Sequence, residues 1–161
     1  ENFDAVATPN LPLGWNKLIS STSTYATITT STSTPNTSPN NVAFYNSADT
    51  EATMILVSPE VIDDISSLKL NFSARWSSYA ASISVGTMSD PANINTYTEF
   101  ATKSLTSTHA PYGVNFSSYA GTDQYIAFKF VPTSTYGYMY LDSVVFEEAV
   151  ANDMEIGRAH V

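Results

Sequence analysis

The stretch LKLNFSARW, residues 68–76, alternates strictly between apolar and polar side chains. One face of an extended chain would carry its apolar members, which are Leu68, Leu70, Phe72, Ala74 and Trp76. Because successive side chains of a β-strand point to opposite faces of a sheet, one face can be buried and the other hydrated. The stretch therefore predicts an antiparallel strand with one side in a core and the other in water.

Shorter apolar or alternating runs accompany this strand along the chain. They cover residues 54–59, 81–87, 125–131 and 139–146, and a polar, threonine-rich strand is predicted near residues 25–30. Clusters of Pro, Gly, Asn and Asp separate these runs, and no helical period lies between them. The pattern predicts an all-β fold, a two-sheet antiparallel β-sandwich of the jelly-roll type.

The composition excludes several classes of function. The chain has 161 residues, a net charge of −9 and only 13% charged residues, so an acidic surface would repel nucleic acid and anionic lipid. It contains no cysteine, which excludes disulfides, thiolate zinc sites and cysteine nucleophiles. No apolar run reaches the ~20 residues that a spanning helix needs, so membrane insertion is not expected.

Two regions are predicted along the chain. Residues 1–148 carry all the strand signals and form one jelly-roll domain. Residues 149–161 are interpreted as a linker or an added tail, because the final stretch EIGRAHV matches nothing before it.

Seven segments in a fixed order carry a family resemblance. They are ENFD (1–4), LPLGW (11–15), LVSPEV (56–61), LKLNFSARW (68–76), ISVGTMSDPANINTYTEF (83–100), VNFSSYAGTDQYIAFKF (114–130) and YLDSVVF (140–146). Together they resemble the cleaved-adhesin or choice-of-anchor J domains of secreted Bacteroidetes proteins, which are related to MAM-type jelly rolls. The resemblance implies a domain of a secreted or cell-surface multidomain protein, with neighbouring domains as partners. It does not fix a ligand, and Thr53, Met54 and Ile55 depart from the acid and tryptophan often found before the LVSP segment.

The sequence offers few candidate catalytic residues. His109, in a Thr-His-Ala-Pro turn, is the one histidine before the tail, and no G-x-S-x-G motif stands in the chain. No recognisable motif pairs two carboxylates as glycoside hydrolysis requires. The sequence therefore predicts a protein that is not an enzyme.

The resemblance implies that the first and last strands meet, which would bring Asp4 and Asp142 together. Two carboxylates in a partly buried place repel each other unless a cation or hydrogen-bond donors neutralise them. A structural Ca²⁺ ion is therefore expected at Asp4 and Asp142, with Glu1 and Asp49 as weaker candidate ligands. The alternative is that Asp142 only accepts hydrogen bonds from nearby N–H or hydroxyl groups.

Ten tyrosines and two tryptophans in a chain with little charge suggest contacts with sugars. Sugars stack their C–H faces on aromatic rings while polar side chains bind their hydroxyls. The candidate ligand-binding residues are Tyr136, Tyr138, Lys69, Asn71, Arg75 and Tyr79. Ordinary sheet propensity is the competing explanation for the tyrosines.

Two functions remain open. The first is a non-catalytic binding module, with a polysaccharide or a cell-surface glycan or protein as its partner. The second is a structural spacer or protein-binding adhesin domain without a sugar site. An exposed ring beside polar side chains in a concavity would favour the first function, and scattered tyrosines without a concavity would favour the second.

Overall fold

The computed structural model describes residues 1–149 of the chain. Its ten strands are β1 (Asn16–Ser20), β2 (Thr27–Ser31), β3 (Asn41–Tyr45), β4 (Thr53–Val57), β5 (Leu68–Ser77), β6 (Ala81–Met88), β7 (Thr98–Ser104), β8 (Ala110–Asn115), β9 (Tyr125–Pro132) and β10 (Tyr138–Glu148). Two short 3₁₀ turns cover Ile65–Ser67 and Ile94–Thr96. The predicted tail, residues 149–161, lies outside the described residues apart from Ala149.

The strands form two five-stranded sheets. The first sheet has the order β1-β4-β9-β6-β7, and the second has the order β2-β3-β10-β5-β8. The neighbouring pairs in both sheets are antiparallel. The prediction of an all-β, two-sheet antiparallel sandwich is confirmed.

The core lies between the sheets and follows the predicted alternation. On β5, Leu68, Leu70, Phe72 and Ala74 are buried against the inner face of the first sheet. Phe128 of β9 packs edge-on against Phe72, with ring centroids 5.7 Å apart. Each fully buried apolar side chain of this size stabilises the fold by about 1.5–3 kcal/mol relative to exposure.

Connections cover parts of both outer faces. The β2–β3 connection, residues 32–40, lies over the second sheet, where the Asn36 amide donates to the Ser143 hydroxyl and the Thr37 N–H donates to Asp142. The β6–β7 connection, residues 89–97, covers an apolar patch on the outer face of the first sheet that includes Ile55 and Ala127. Both outer faces are therefore only partly open to solvent.

The connections that follow the odd-numbered strands meet at one end of the sandwich. They are residues 21–26, 46–52, 78–80, 105–109 and 133–137. β10 begins at this end, opposite Tyr45 of β3 and Ser77 of β5. Residues far apart in sequence are thereby brought close together.

No helix within residues 1–149 is long and apolar enough to cross a membrane.

Candidate functional site

An open hollow of about 650 Å³ lies at this end of the sandwich. Its lining consists of Thr22, Ser23, Thr24, Tyr25, Tyr45, Ser47, Ala48 and Tyr136, and we call it the tyrosine hollow. Tyr25 and Tyr136 are 75% and 54% exposed, whereas Tyr45 is half-buried. The hollow therefore presents aromatic surface to solvent next to several hydroxyl groups.

A row of stacked tyrosines supports the hollow from the face of the second sheet. The Tyr45 and Tyr138 rings stack at 4.5 Å with an interplanar angle of 20°. The rings of Tyr138 and Tyr140 follow at 5.9 Å and 3°. Tyr138 thus has an aromatic neighbour on each side, while Tyr25 and Tyr136 stack on no other aromatic ring of residues 1–149. The exposed surfaces of Tyr25 and Tyr136 are therefore not covered by another aromatic ring of these residues.

Asn46, directly after β3, fixes the connection that carries Tyr136. Its side chain is fully buried, and its amide group donates to the carbonyl oxygens of Asp49 and Ser134 at 3.1 and 2.9 Å. Its Oδ1 accepts from the Gly137 N–H at 2.9 Å. Because all three bonds are to backbone groups, a single buried amide sets the path of two connections.

Two residues of the hollow adopt the left-handed backbone region. Tyr136 has a φ of 59° and Ser47 a φ of 53°, and the Tyr136 N–H donates to the Ser47 carbonyl. Residues other than glycine, asparagine and aspartate rarely adopt this conformation, which costs energy and concentrates at functional sites. The surrounding hydrogen bonds hold both residues in place.

Asp49 fixes the connection that carries Tyr25. Its Oδ2 accepts from the Ser21 hydroxyl and the Thr22 N–H, both at 2.8 Å, and its Oδ1 accepts from the Glu51 N–H at 3.0 Å. The Thr22 N–H and the Ser21 hydroxyl lower the pKa of the Asp49 carboxyl. Asp49 therefore organises the edge of the hollow in its charged form.

The predicted ligand-binding residues do not all meet at the hollow. Tyr136 lines it and Tyr138 supports it, but Lys69 and Asn71 line a separate groove of about 440 Å³ on the outer face of the second sheet. Arg75 lies across from Tyr140 and donates through Nε to the Trp76 carbonyl at 3.4 Å.

Tyr79, in the β5–β6 connection, is 47% exposed and does not line the hollow. Sequence reasoning missed Tyr25 and Tyr45 as site residues. Tyr25 fell in a predicted strand, where sheet propensity explains a tyrosine, and no local pattern marks Tyr45.

The structure brings Asp4 and Asp142 to the same connection, residues 32–40. Asp142 is fully buried and accepts from the Thr37 N–H at 2.8 Å and the Ser143 N–H at 2.6 Å. Asp4 accepts from the Asn40 N–H at 2.8 Å. Hydrogen bonds from protein groups are the alternative to calcium predicted from the sequence, and these bonds are of that kind.

The other two candidate calcium ligands differ in position. The Glu1 backbone pairs with the Val144 backbone, so Glu1 lies beside β10 two residues beyond Asp142. Asp49 follows β3, whereas Asp142 lies beside the start of that strand. Asp49 is therefore at the opposite end and cannot share an ion with Asp142.

One buried oxygen beside Asp142 has no hydrogen-bond partner and is of a type that can coordinate a cation. Asn41 is fully buried, and its Oδ1 is the one buried side-chain oxygen or nitrogen in residues 1–149 without a hydrogen-bond partner. Because Leu141 pairs with Val42, Asn41 and Asp142 are cross-strand neighbours on one face. A carboxylate and an amide oxygen are ligands that Ca²⁺ accepts.

These residues do not complete a calcium site by themselves. Within the described chain, no group of three or more acidic or histidine side chains is arranged to hold a metal ion. Asp142, Asn41 and the Thr37 hydroxyl would hold such an ion together with backbone carbonyls. Calcium stays a prediction.

His109 joins the covering connection to the second sheet. Its Nε2 lies 2.8 Å from the Thr34 carbonyl oxygen, and its Nδ1 lies 3.0 Å from the Ser73 hydroxyl. A carbonyl can only accept, so Nε2 carries the proton and Nδ1 accepts from Ser73 in the neutral ring. Burial lowers the pKa of His109. Ser73 is buried beneath the connection. The contact between Ser73 and His109 is therefore explained by the attachment of the connection to the sheet.

Solved structures of other proteins have a similar fold. No family model matches the chain, and no curated protein matches it. Among solved structures, the K2 cleaved adhesin domain of Lys-gingipain superposes with a TM-score of 0.74 and 13% identity, covering 92% of this chain and 97% of that domain. The K1 cleaved adhesin domain of Lys-gingipain from Porphyromonas gingivalis gives 0.67 and 15%, covering 92% and 96%.

A carbohydrate-binding domain has a similar structure. The family 11 carbohydrate-binding module from Clostridium thermocellum, solved in complex with a β-1,3-1,4-mixed-linked tetrasaccharide, gives a TM-score of 0.61 at 16% identity. The match covers 94% of this chain and 95% of that module. The chain therefore has a fold like that of these two cleaved adhesin domains and of this carbohydrate-binding module. The resemblance inferred from the sequence is confirmed at the level of the fold.

Proposed function

We propose that the chain is a non-catalytic carbohydrate-binding module and that the tyrosine hollow is its binding site. The observation that carries the proposal is the pair of exposed tyrosines, Tyr25 and Tyr136, in one concavity with half-buried Tyr45. In this proposal the module works outside the cell or at its surface and holds neighbouring domains of a larger protein on a polysaccharide or cell-surface glycan.

The chemistry of the hollow suits a sugar. The Tyr25, Tyr45 and Tyr136 hydroxyls make no hydrogen bond within residues 1–149, so they are available to a ligand. A pyranose ring can place its C–H face on a free tyrosine ring while its hydroxyls exchange hydrogen bonds with Ser, Thr and Tyr. Both exposed rings belong to connections that Asn46 and Asp49 hold in place, which reduces the entropy lost on binding.

The comparisons support a binding role without identifying a ligand. Similar folds occur in adhesin domains and in a module solved with a bound tetrasaccharide. At identities of 13% and 16% these likenesses concern the fold. Sugar binding is therefore inferred from the tyrosine hollow.

Retention of the purified protein by polysaccharides tests the proposal. We expect retardation in native gels that contain a soluble polysaccharide, or pull-down by an insoluble one, across a panel of glycans. Tyr25→Ala and Tyr136→Ala should each weaken retention at least tenfold, which corresponds to about 1.4 kcal/mol. Tyr79→Ala is the matched control, since Tyr79 is also exposed but lies outside the hollow. Equal retention of all four proteins would contradict the assignment of the site.

A second candidate function, protein binding by an adhesin domain, has its own observation. A groove of about 500 Å³ lies beside β10 and includes Trp15, Val61 and Phe146. Leu13 and Ile62 are 100% and 93% exposed, and Ile62 lines this groove. Failure to bind any glycan, with capture of a protein partner that is lost in Ile62→Asp, would favour this second function.

A further inference from the structure

The lining of the tyrosine hollow contains no charged side chain. Its eight residues are three tyrosines, four serines or threonines, and Ala48. The available polar groups are therefore hydroxyls, each of which can both donate and accept a hydrogen bond. A sugar hydroxyl has the same dual capacity, so the two sets of groups can satisfy each other.

An anionic glycan would not find a counter-charge in this hollow. Moving a carboxylate or sulfate out of water is costly unless a cation or strong donors pair with it. Neutral hydroxyls provide weaker hydrogen bonds to an anion than Arg or Lys would. The lining therefore disfavours a ligand whose charged group must enter the hollow.

The surroundings of the hollow also repel anions. At the edge of the hollow, the Asp49 carboxylate accepts hydrogen bonds from Ser21 and Thr22. The exposed Glu51 follows in the same connection. The whole chain adds a net charge of −9. Like charges near a partly desolvated site destabilise binding and slow association.

Arg75 lies beside the row of stacked tyrosines. It lies on β5 across from Tyr140, not in the lining of the hollow. Tyr138 and Tyr140 follow Tyr45 along the face of the second sheet before Arg75 is reached. An acidic sugar seated between Tyr25 and Tyr136 is therefore not paired with this guanidinium.

We propose that the tyrosine hollow binds uncharged glycans and discriminates against glycans that carry uronate or sulfate groups. This inference rests on the proposed function and adds the chemical class of the ligand. It concerns the charge of the sugar and not its identity.

Affinity electrophoresis against matched neutral and acidic polysaccharides tests the inference. The neutral probes are mixed-linked β-glucan, xylan and galactomannan, and the acidic probes are polygalacturonate, alginate and a sulfated galactan. We expect retention by at least one neutral probe, unchanged between low salt and 0.5 M NaCl (about 4 Å Debye length), and at least tenfold weaker retention by every acidic probe. Tyr25→Ala should remove the neutral retention.

A variant with an added cation gives an independent readout. Thr24→Arg places a guanidinium in the lining and should increase retention by polygalacturonate about tenfold, in a manner that 0.5 M NaCl reverses. Thr24→Gln is the control of similar length without charge. Its retention by acidic probes should not rise.

The outcomes separate the two proposals. Retention by acidic probes that equals or exceeds retention by neutral ones, lost in Tyr25→Ala, would overturn the charge discrimination and leave the binding module in place. Retention by no probe would contradict the proposed function itself, and the inference with it. Acidic retention that survives Tyr25→Ala but is lost in Arg75→Gln would place binding on the sheet face and also contradict the inference.

Discussion

Asn46 shows how a single buried side chain can set the geometry of a binding surface. Its three hydrogen bonds join the connection after β3 to the connection before β10, where Tyr136 stands. Truncating it would leave one buried backbone N–H and two partly buried carbonyl oxygens without this partner. Each such group costs about 1–3 kcal/mol when it is left unsatisfied.

Asn46→Ala is therefore expected to lower the free energy of unfolding by about 2–4 kcal/mol, with weaker glycan retention. Urea denaturation measures the first effect. Asn36→Ala is the matched control, because the exposed Asn36 amide makes one side-chain bond, to the Ser143 hydroxyl. It should change stability by less than about 0.5 kcal/mol. Equal effects of the two changes would contradict the role given to Asn46.

Asp142 provides the prediction that concerns calcium. If Asp142 and the orphaned Oδ1 of Asn41 hold Ca²⁺, the ion stabilises the folded state by mass action. Calorimetry should then show a Tm that rises with millimolar CaCl₂ over EDTA in the natural chain. The rise should be lost in Asp142→Asn and kept in Asp49→Asn, whose carboxylate lies at the other end of β3. A Tm that does not respond to CaCl₂, or an equal rise in Asp142→Asn, would contradict a site at Asp142.

The connection over the second sheet, residues 32–40, explains why some strands could not be predicted. The alternation of apolar and polar side chains identified β5, β6 and β9 from the sequence. β3 reads NVAFY, and its first four residues are all buried because the connection covers its outer face. A strand that is covered on both sides can lose the period of two, as β3 does, and a run as short as NVAFY then gives no clear strand signal.

The candidate site was predicted only in part for a similar reason. Tyr136 stood out because it precedes a strand with alternating tyrosines. Tyr25 and Tyr45 gain their role from lining the same hollow as Tyr136, and this proximity is set by the arrangement of the strands. Local sequence patterns carry no information on such distant pairings.

His109 makes the attachment of this connection sensitive to pH. Burial lowers its pKa in the folded state below the ordinary value of 6.5. A lowered folded pKa means that the unfolded chain binds more protons near this pH, so the stabilisation is present above pH 6.5 and is lost as the pH falls. Melting curves between pH 7.5 and 5.5 should show a decline in Tm that is shallower in His109→Gln. An unchanged slope in that variant would contradict a half-buried histidine that is neutral in the folded state.

The whole molecule carries far more negative than positive charge. Fifteen acidic residues stand against six basic ones. Repulsion between the acids destabilises the compact state, and salt screens it. We expect the Tm to rise between 10 mM and 0.3 M NaCl, and a similar rise with KCl would confirm that screening and not a specific ion is responsible. A Tm that falls with either salt would show that attractive pairs dominate.

The jelly-roll topology brings together residues 22–25, 45–48 and 136 at one end of the sandwich. We propose that a glycan binds at this place. The most direct measurement is an NMR titration of the ¹⁵N-labelled protein with a neutral oligosaccharide cut from the polysaccharide that retains it best. We expect shift changes confined to the connections around Tyr25, Ser47 and Tyr136, and their loss in Tyr25→Ala. Changes centred on the Lys69 and Asn71 groove, or around Trp15 and Ile62, would contradict it.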